Sequence, residues 1–398
     1  MMRSISFIAS YYCWLLAIPA SALALSNGFR KRVSIVTGAN GYVGREVVSV
    51  LLNENGKKSD EETCNDEIIC LVRSGKVESE KSYWGGIQSA MAASRASNTI
   101  RVLPYDMLDG GKTFEDALNL ALNDGDDDDL DICVYHIASV FGPSEDHIQT
   151  AKDNVQGTKD LVETVGKCSK KCRLVVTSSM AAVRGSGQIP KNGEYYTYHD
   201  WNTKSKLEDN NWGSSYQWSK AESERVAWEL AKDLEIPMTT ICPSFVFGPP
   251  TEGPGGEATL SSSFSITLVG QWVRGESTVQ SRLFVDVRDV ARAHVEAARR
   301  PKAIGKRLIA SSEARLPSQD MAEVLKEVCK DTGLGDPSKI SFDSEFQGGA
   351  IPIGSQEVEA TGRLQDILGL TMTPLHDTIR DMGRSLLLAK DAEPAAGK

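Results

Sequence analysis

The chain has 398 residues, a length that predicts one large domain or two closely joined ones around a sizeable core. Its hydrophobic content of 40% and charged content of 25% are typical of a globular protein. The formal net charge of −10 leaves no excess of Lys and Arg to offset phosphates, which argues against a nucleic-acid partner.

The chain starts with an apolar segment that carries no charge over residues 4–29. Small residues at positions 20, 22 and 24 resemble a signal-peptidase site, whereas the basic residues 30–32 would keep the domain after an uncleaved anchor in the cytosol. Two uses are left open: a cleaved targeting signal, or an endoplasmic-reticulum membrane anchor through residues 4–28. In either case residues 1–29 are excluded from the predicted fold.

The cysteines and histidines show no metal-ligand spacing. Eight cysteines occur without a C-x-x-C pair, and the five histidines are isolated from them and from each other. No metal site is predicted, and the cysteines in apolar runs are interpreted as reduced core residues.

Residues 33–37 form an apolar run that predicts a strand, and a glycine-rich turn and a helical pattern follow it. In this context Gly38 permits a tight turn, Gly41 lets backbone amides approach a pyrophosphate, and Gly44 permits close packing of helix on strand. The predicted cofactor-binding residues of the turn are Gly38, Asn40, Gly41, Tyr42, Val43 and Gly44.

A second strand is predicted over residues 67–73. In dinucleotide-binding folds the end of this strand meets the adenosine ribose, where a carboxylate accepts from the 2′-hydroxyl and an arginine pairs with a 2′-phosphate. Arg73 occupies this end, and Lys76 follows three positions later. The pattern favours NADP(H) over NAD(H), with NAD(H) left open.

The third and fourth strands are predicted over residues 101–107 and 134–139. Asp106 is expected to meet the adenine amino group with Met107 beside it, and the small Ala138 is expected to let the backbone approach the cofactor.

Two features near these strands are interpreted as structural. His136 is read as a packed strand residue. The acidic run over residues 123–131 is read as a solvated loop, because it lacks the spacing of a calcium-binding loop.

Further strands are predicted over residues 173–179 and 238–243, with helical segments between them. The alternation predicts an α/β fold with a doubly wound parallel sheet of the Rossmann type. Tyr216 and Lys220 lie four residues apart on one of these helices, so their side chains share a face. A cation beside a tyrosine lowers the pKa of the phenol, which predicts proton exchange near neutral pH.

Several motifs in a fixed order resemble an extended short-chain dehydrogenase/reductase of the NAD-dependent epimerase/dehydratase superfamily, over roughly residues 31–385. In chain order they are T-G-x-x-G-x-x-G from Thr37, N-V-x-G-T from Asn154, T-S-S from Thr177, Y-x-x-x-K from Tyr216, P-S-F-V-F-G-P from Pro243 and F-V-D-V-R-D-V-A-R-A-H from Phe284. Within the superfamily the chain is most similar to the dihydroflavonol reductase, cinnamoyl-CoA reductase and aldehyde/ketone reductase branch. One departure is Arg184, where sugar epimerases carry tyrosine and flavonoid reductases usually carry asparagine.

The resemblance implies a catalytic set. Tyr216 would donate a proton to a carbonyl oxygen as hydride arrives from the nicotinamide, and Lys220 would lower the pKa of the phenol and hold the ribose hydroxyls. Ser179 would polarise the same oxygen. Asn154 has two roles left open, as the holder of a water that relays protons to Lys220 or as a helix-bending or capping amide. Pro243 is placed with the cofactor-binding residues.

The candidate substrate contacts are Phe141, Arg184 and Phe245. They lie in the variable pieces of the chain, together with an aromatic-rich insertion over residues 185–212. Glycines over residues 253–256 predict a mobile loop that could cover the substrate.

The resemblance also implies a domain organisation. Residues 30–248 would form an NADP-binding Rossmann domain to which residues 284–310 return. Residues 249–283 and 311–388 would form a smaller discontinuous substrate-binding part, and residues 389–398 a disordered tail.

The predicted function is NADP(H)-dependent reduction of a carbonyl, or oxidation of a secondary alcohol, on a mid-sized apolar or phenolic substrate. Alternatives are a 3β-hydroxysteroid dehydrogenase-like enzyme, a nucleotide-sugar epimerase or dehydratase, and a non-catalytic NADP(H)-binding regulator. The intact set of Ser179, Tyr216 and Lys220 argues against the regulator, because a binding protein has no need of an acid. A homodimer, the reaction direction and the substrate are left open.

Overall fold

The computed structural model describes residues 31–55, 67–91, 99–123, 130–142, 144–168, 172–254, 263–344 and 361–389. Several sequence predictions lie wholly or partly outside these residues. They are the amino-terminal segment 1–29, most of the acidic run 123–131, the second half of the loop 253–256 and the tail after residue 389.

The centre of the fold is a parallel β-sheet, as predicted. The strands in chain order are β1 (Lys31–Thr37), β2 (Glu67–Val72), β3 (Thr99–Pro104), β4 (Leu130–His136), β5 (Arg173–Thr177), β6 (Met238–Pro243), β7 (Phe245–Phe247), β8 (Phe284–Asp286) and β9 (Arg307–Ala310). Seven of them form one sheet in the order β3-β2-β1-β4-β5-β6-β9, and β7 pairs with β8 separately. The strand order reverses between β1 and β4, which opens a crevice at their carboxyl ends.

Four of the predicted strands, which correspond to β2, β3, β4 and β5, end earlier than expected. β4 starts at Leu130, because Lys31 and Arg32 extend β1 and pair with it, and it ends at His136. The hydroxyl of Thr37 accepts hydrogen bonds from the backbone amides of residues 137 and 138, both at 3.0 Å, and so ends the pairing with β1. The predicted ends of strands 3 and 4 were therefore wrong, and Asp106 and Ala138 lie in the loops that follow β3 and β4.

Helices cover both faces of the sheet. They are α1 (Tyr42–Asn55), α2 (Val77–Met91), α3 (Lys112–Asn123), α4 (His147–Lys167), α5 (Met180–Val183), α6 (Trp212–Asp233), α7 (Phe264–Val273), α8 (Val287–Arg299), α9 (Ser318–Thr332), α10 (Thr361–Leu368) and α11 (Leu375–Leu388). Residues of α1, α2, α8 and α10 share one hydrophobic cluster with the sheet, and residues of α3, α4 and α6 share another. β2 and β6 are buried along their whole lengths, as expected of parallel strands covered on both sides.

A third hydrophobic cluster lies in the carboxyl-terminal part of the chain. It joins α7, α9 and α11 with Phe247 of β7 and Phe284 of β8. After β8, helix α8 returns to the main sheet and β9 extends it next to β6. The predicted domain boundaries stay predictions.

Within the described part of the chain, no helix is long and apolar enough to span a membrane. The described cysteines are free thiols, and all but Cys168 are buried.

Candidate active site

The glycine turn connects β1 to α1 at the crevice. Gly38 adopts a φ of +66°, and a Cβ at this position would lie 3.0 Å from the Cα of Ala138. A Cβ on Gly44 would lie 2.1 Å from the carbonyl oxygen of Gly38, so only glycine lets the helix approach the turn this closely. Both glycines therefore have the packing roles that the sequence predicts.

The amides available to a phosphate differ in part from the expectation. The N–H of Gly41 donates to the carbonyl of Gly38 at 2.9 Å, so this amide is already used within the turn. Helix α1 starts at Tyr42, and the first amides of a helix have no acceptor within it. Tyr42 and Val43 both line the crevice, so their amides are available to a phosphate there. The phenol of Tyr42 donates to the carbonyl of Gly248 at 2.6 Å and ties the turn to the segment after β7.

The residues predicted to meet the adenosine half line the same cleft. Arg73 and Lys76 lie just after β2 with exposed side chains, and Asp106 and Met107 follow β3. The carboxylate of Asp106 accepts from the amide of Leu108 at 2.9 Å, which holds this loop.

Tyr216 and Lys220 lie on the cleft-facing side of α6, half-buried. The side chain of Asn211 caps the helix by accepting from the amide of Ser214 at 2.9 Å. Ser179 caps α5 by accepting from the amide of Ala181 at 3.1 Å, and its side chain lines the same cleft as the phenol of Tyr216. The structure thus brings the two predicted oxygen-binding groups together.

The electrostatics differ from the expectation for Tyr216. Burial raises the pKa of the Tyr216 phenol, and the nearby hydroxyl of Ser179 lowers it in part. The prediction that Lys220 lowers this pKa was wrong for the arrangement seen here, because desolvation dominates. Burial lowers the pKa of Lys220 itself to about 8, although the nearby Glu224 carboxylate acts in the opposite direction.

Glu224 was missed by the sequence analysis. It lies one helical turn after Lys220, is buried, and accepts hydrogen bonds from Ser178 and Thr240, both at 2.7 Å. Arg307 of β9 pairs with it, and these bonds lower the pKa of the Glu224 carboxyl in spite of its burial. The spacing of Lys220 and Glu224 on one helix face was the available signal, but the partner Arg307 comes from a distant strand.

Asn154 braces the loop after β4. Its Oδ1 accepts from the amide of Val140 at 2.8 Å, and its Nδ2 donates to the carbonyl of the same residue at 2.9 Å. A small cavity of about 10 Å³ lies between Asn154, Ser139, Lys220 and Glu224, enough for about one water molecule. The predicted relay through Asn154 and Lys220 stays a prediction.

The side of the cleft that contains Phe141 and Phe245 has aromatic walls. The centre of the Phe141 ring lies 4.7 Å from the ring centre of Tyr216, 5.6 Å from that of Trp212 and 6.0 Å from that of Phe264. The ring centres of Phe245 and Phe264 lie 6.3 Å apart. Phe264 therefore joins the predicted contacts Phe141 and Phe245, and Trp212 packs against Phe141 and Tyr216. The sequence analysis missed both Phe264 and Trp212.

Arginines line the rim of this part of the cleft. The guanidinium carbon of Arg184 lies 5.8 Å from the ring centre of Tyr196, and that of Arg282 lies 5.7 Å from the ring centre of Phe245. Arg184 also lines the cleft, as predicted for a substrate contact. Its role there stays a prediction.

The cleft can hold a dinucleotide and a substrate together. It encloses about 1800 Å³ and runs continuously from the glycine turn and Arg73 past Ala138 and Tyr216 to Pro243 and Phe245. The glycine packing, the two helix amides and the basic residues after β2 fit the pyrophosphate and ribose ends of a nicotinamide dinucleotide. Among the described residues, no group of three or more His, Cys, Asp and Glu side chains is placed to hold a metal ion.

Known proteins share this architecture. The NADPH-dependent methylglyoxal reductase Gre2 of Saccharomyces cerevisiae is 24% identical over 378 residues, which cover 88% of this chain and 97% of that protein. A cinnamoyl-CoA reductase of Medicago truncatula is 29% identical over 262 residues, which cover 64% of this chain and 72% of that protein.

Solved structures show the same fold. Gre2 of Candida albicans in complex with NADPH aligns with a TM-score of 0.72 at 22% identity, covering 91% of this chain and 100% of that one. Residues 34–309 of the chain match the NAD dependent epimerase/dehydratase family. The resemblance inferred from the sequence motifs is confirmed. Because the match covers more than half of its length, the chain belongs to the NAD dependent epimerase/dehydratase family, as an oxidoreductase of the extended short-chain dehydrogenase/reductase type.

Proposed function

We propose that the protein is an NADP(H)-dependent reductase that converts a carbonyl group to an alcohol on a mid-sized apolar or phenolic molecule. The observation that carries the proposal is the placement of Ser179 and Tyr216 in one cleft, where the ring of Tyr216 lies against that of Phe141 with their centres 4.7 Å apart. Two hydroxyl groups that meet at one point of a cleft can both bind one carbonyl oxygen, and one of them can give it a proton.

When bound, the nicotinamide cofactor supplies the hydride. Tyr216 donates its proton to the carbonyl oxygen, and its raised pKa keeps the phenol protonated at neutral pH. Ser179 donates a hydrogen bond to the same oxygen and stabilises the charge that develops there. Lys220, protonated below a pKa of about 8, would hold the ribose hydroxyls. Asn154 fixes the loop of Val140 and borders the small cavity through which a water can reprotonate Lys220.

The cofactor is NADP(H). Arg73 and Lys76 provide positive charge where the second strand meets the adenosine ribose, and an arginine there matches a 2′-phosphate. Gre2 of Saccharomyces cerevisiae is named as NADPH-dependent, and the Gre2 structure from Candida albicans contains NADPH, which supports the same assignment.

The substrate is a molecule with an apolar or aromatic face. Phe141, Trp212, Phe264 and Phe245 offer ring faces and edges along one side of the cleft, which suits a flat apolar group next to the reacting carbonyl. Relatives are named for methylglyoxal, cinnamoyl-CoA and tetraketide α-pyrone substrates. These names have carbonyl reduction in common and do not indicate one shared substrate.

A panel of carbonyl compounds, assayed by NADPH consumption, tests the proposal. Aromatic and aliphatic aldehydes and ketones should be reduced, and Phe141→Ala should raise KM for aromatic members more than for small aliphatic ones. Nucleotide sugars and 3β-hydroxysteroids with the matching cofactors form the comparison arms. Turnover confined to either of those arms would contradict the proposal.

A further inference from the structure

Two cysteines lie at the two ends of the loop that connects α4 to β5. Cys168 is the residue at which α4 ends, where its N–H donates to the carbonyl of Val165 at 3.1 Å, and Cys172 directly precedes β5. Their sulfur atoms are 3.5 Å apart, and the thiol of Cys172 donates to Sγ of Cys168. Both are thiols in this structure and not a disulfide.

The pair needs only a small movement to become a disulfide. A disulfide bond is about 2.05 Å long, so the two sulfur atoms would have to approach each other by roughly 1.5 Å. Rotation about the Cα–Cβ bonds can supply this movement, because Cys168 and Cys172 both lie outside regular helix and strand. The bond would close a short loop between α4 and β5.

The two thiols differ in access and in acidity. Cys168 is half-buried, so a small oxidant can reach its sulfur, whereas Cys172 is only 2% exposed. The hydrogen bond to Cys168, together with burial, raises the pKa of the Cys172 thiol and keeps it protonated. Modification of the Cys168 sulfur removes the first of these causes. Cys168 is therefore suited to react first and Cys172 to react second.

The sequence around the pair is basic. Residues 164–193 contain no Asp or Glu, and Lys167, Lys170 and Lys171 are close neighbours of the two cysteines in the chain, although the whole protein has a net charge of −10. Positive charge favours the thiolate, which is the reactive form of cysteine, and attracts an anionic oxidant. Glutathione disulfide is an oxidant of this kind.

We propose that Cys168 and Cys172 form a reversible disulfide that fastens the end of α4 to the start of β5. The Cys168 thiolate attacks glutathione disulfide, which gives a mixed disulfide and releases one glutathione. The Cys172 thiolate then attacks the Cys168 sulfur, which forms the bridge and releases the second glutathione. Each cysteine loses one proton, and glutathione disulfide takes up the two electrons. Excess reduced glutathione reverses both steps.

The bridge would lie away from the cleft. Cys172 precedes the amino end of β5, whereas the cleft is lined by Thr177, Ser178 and Ser179 at the carboxyl end of the same strand. The inference is therefore independent of the proposed reaction.

The inference is tested by equilibrating the full-length protein with glutathione disulfide, unfolding it in the presence of an alkylating reagent, and cleaving it after glutamate. The peptide 164–194 contains Cys168 and Cys172 and no other cysteine. In the wild-type protein this peptide should be lighter than its reduced form by two hydrogen atoms and should carry no alkyl group. Treatment with excess reduced glutathione before unfolding should restore alkylation at both cysteines.

The single variants separate the two steps. Cys172→Ser lacks the second thiol, so its peptide should keep one glutathione on Cys168. Cys168→Ser lacks the accessible thiol, so its peptide should carry an alkyl group on Cys172 and no glutathione. Cys329→Ser is the matched control, because Cys329 is packed in the third hydrophobic cluster and its loss should leave the bridge unchanged.

Three results would overturn the inference. A wild-type peptide that is alkylated at both cysteines after oxidation would show that the thiols do not react. A wild-type peptide that keeps glutathione, as in Cys172→Ser, would show that the second step does not occur. The bridged protein should also unfold at a temperature about 2 °C higher than the reduced protein, since the bridge restricts the unfolded chain. An unchanged unfolding temperature would contradict the fastening of α4 to β5.

Discussion

Glu224, on the helix that carries Tyr216 and Lys220, forms a buried ion pair with Arg307 of β9. Nε of Arg307 donates to Oε1 of Glu224 at 2.7 Å, and Nη2 donates to Oε2 at 3.0 Å. The same arginine donates to backbone carbonyls of Tyr198 and Asp200, and its guanidinium lies 3.8 Å from the ring centre of Trp201. The pair therefore links α6 to β9 and to the insertion over residues 185–212.

Glu224→Gln should destabilise the protein strongly. The substitution keeps the shape of the side chain but leaves the Arg307 guanidinium buried without its counter-charge, a loss of about 3–5 kcal/mol when one partner of a buried pair is removed. Denaturant unfolding measures the change. Glu222→Gln is the control, because Glu222 pairs with Arg225 on the same helix at the surface and should change stability by less than about 1 kcal/mol. Equal losses of unfolding free energy in the two variants would show that the buried pair contributes no more to stability than the surface pair.

Arg73→Glu should reverse the cofactor preference. A carboxylate at the end of β2 repels a 2′-phosphate and accepts from a 2′-hydroxyl, so NADPH should bind at least about tenfold more weakly while NADH binding is kept or improved. The ratio of the two dissociation constants is the measurement. Lys81→Glu makes the same charge change on α2 and should leave the ratio alone. A ratio that stays constant in Arg73→Glu would remove this residue from the cofactor site.

The rate of carbonyl reduction should fall as pH rises through about 8. The Lys220 pKa is lowered from 10.5 to about 8, so its ammonium is present below that pH and is lost above it, whereas Tyr216 stays protonated because its own pKa is raised. Since the Glu224 carboxylate raises the pKa of Lys220, Glu224→Gln should move the basic limb of the kcat/KM profile to lower pH. If the basic limb stays at the same pH in Glu224→Gln, the limb reports the titration of a group other than Lys220.

Acid should destabilise the fold through two buried histidines. Burial lowers the pKa of His136 from 6.5 to about 3 and that of His294 from 6.5 to about 4. The histidines of the unfolded chain take up protons near pH 6.5, and the buried histidines of the folded chain do not. Each histidine therefore stabilises the fold above pH 6.5. This stability is lost as the pH falls from 6.5 towards the pKa of the histidine in the folded state, by about 1.4 kcal/mol per pH unit. His294→Gln should flatten the dependence of the unfolding free energy on pH between about pH 6 and about pH 4.5. His199→Gln, at an exposed site, should leave the slope as it is, and equal slopes in wild type and His294→Gln would refute the assignment.

The parts of the molecule that depend on local sequence could be predicted. Apolar runs separated by helical patterns gave the parallel sheet, and the glycine spacing gave the turn between β1 and α1 with the close approach of Gly38 to Ala138. Tyr216 and Lys220 share a helix face because their spacing matches the helical period. The proximity of Ser179 to Tyr216 was implied by the resemblance, since nothing in the spacing of the two residues requires it.

The parts that depend on tertiary contact could not be predicted. Arg307 meets Glu224 across 83 residues only because β9 pairs with β6, and Phe264 joins Phe141 only because α7 packs beside the cleft. The direction of the Tyr216 pKa was wrong because desolvation depends on the atoms around the phenol, and these come from several elements.

Tyr216→Phe tests the central claim most directly, with NADPH binding and NADPH-linked carbonyl reduction measured on the same preparation. Loss of the acid should lower kcat by about 100-fold or more, while the dissociation constant for NADPH changes by less than about threefold. Tyr195→Phe removes a hydroxyl from a residue outside the cleft lining and should leave both quantities unchanged. Retained turnover in Tyr216→Phe would contradict the assignment of Tyr216 as the proton donor and, with it, the proposed function.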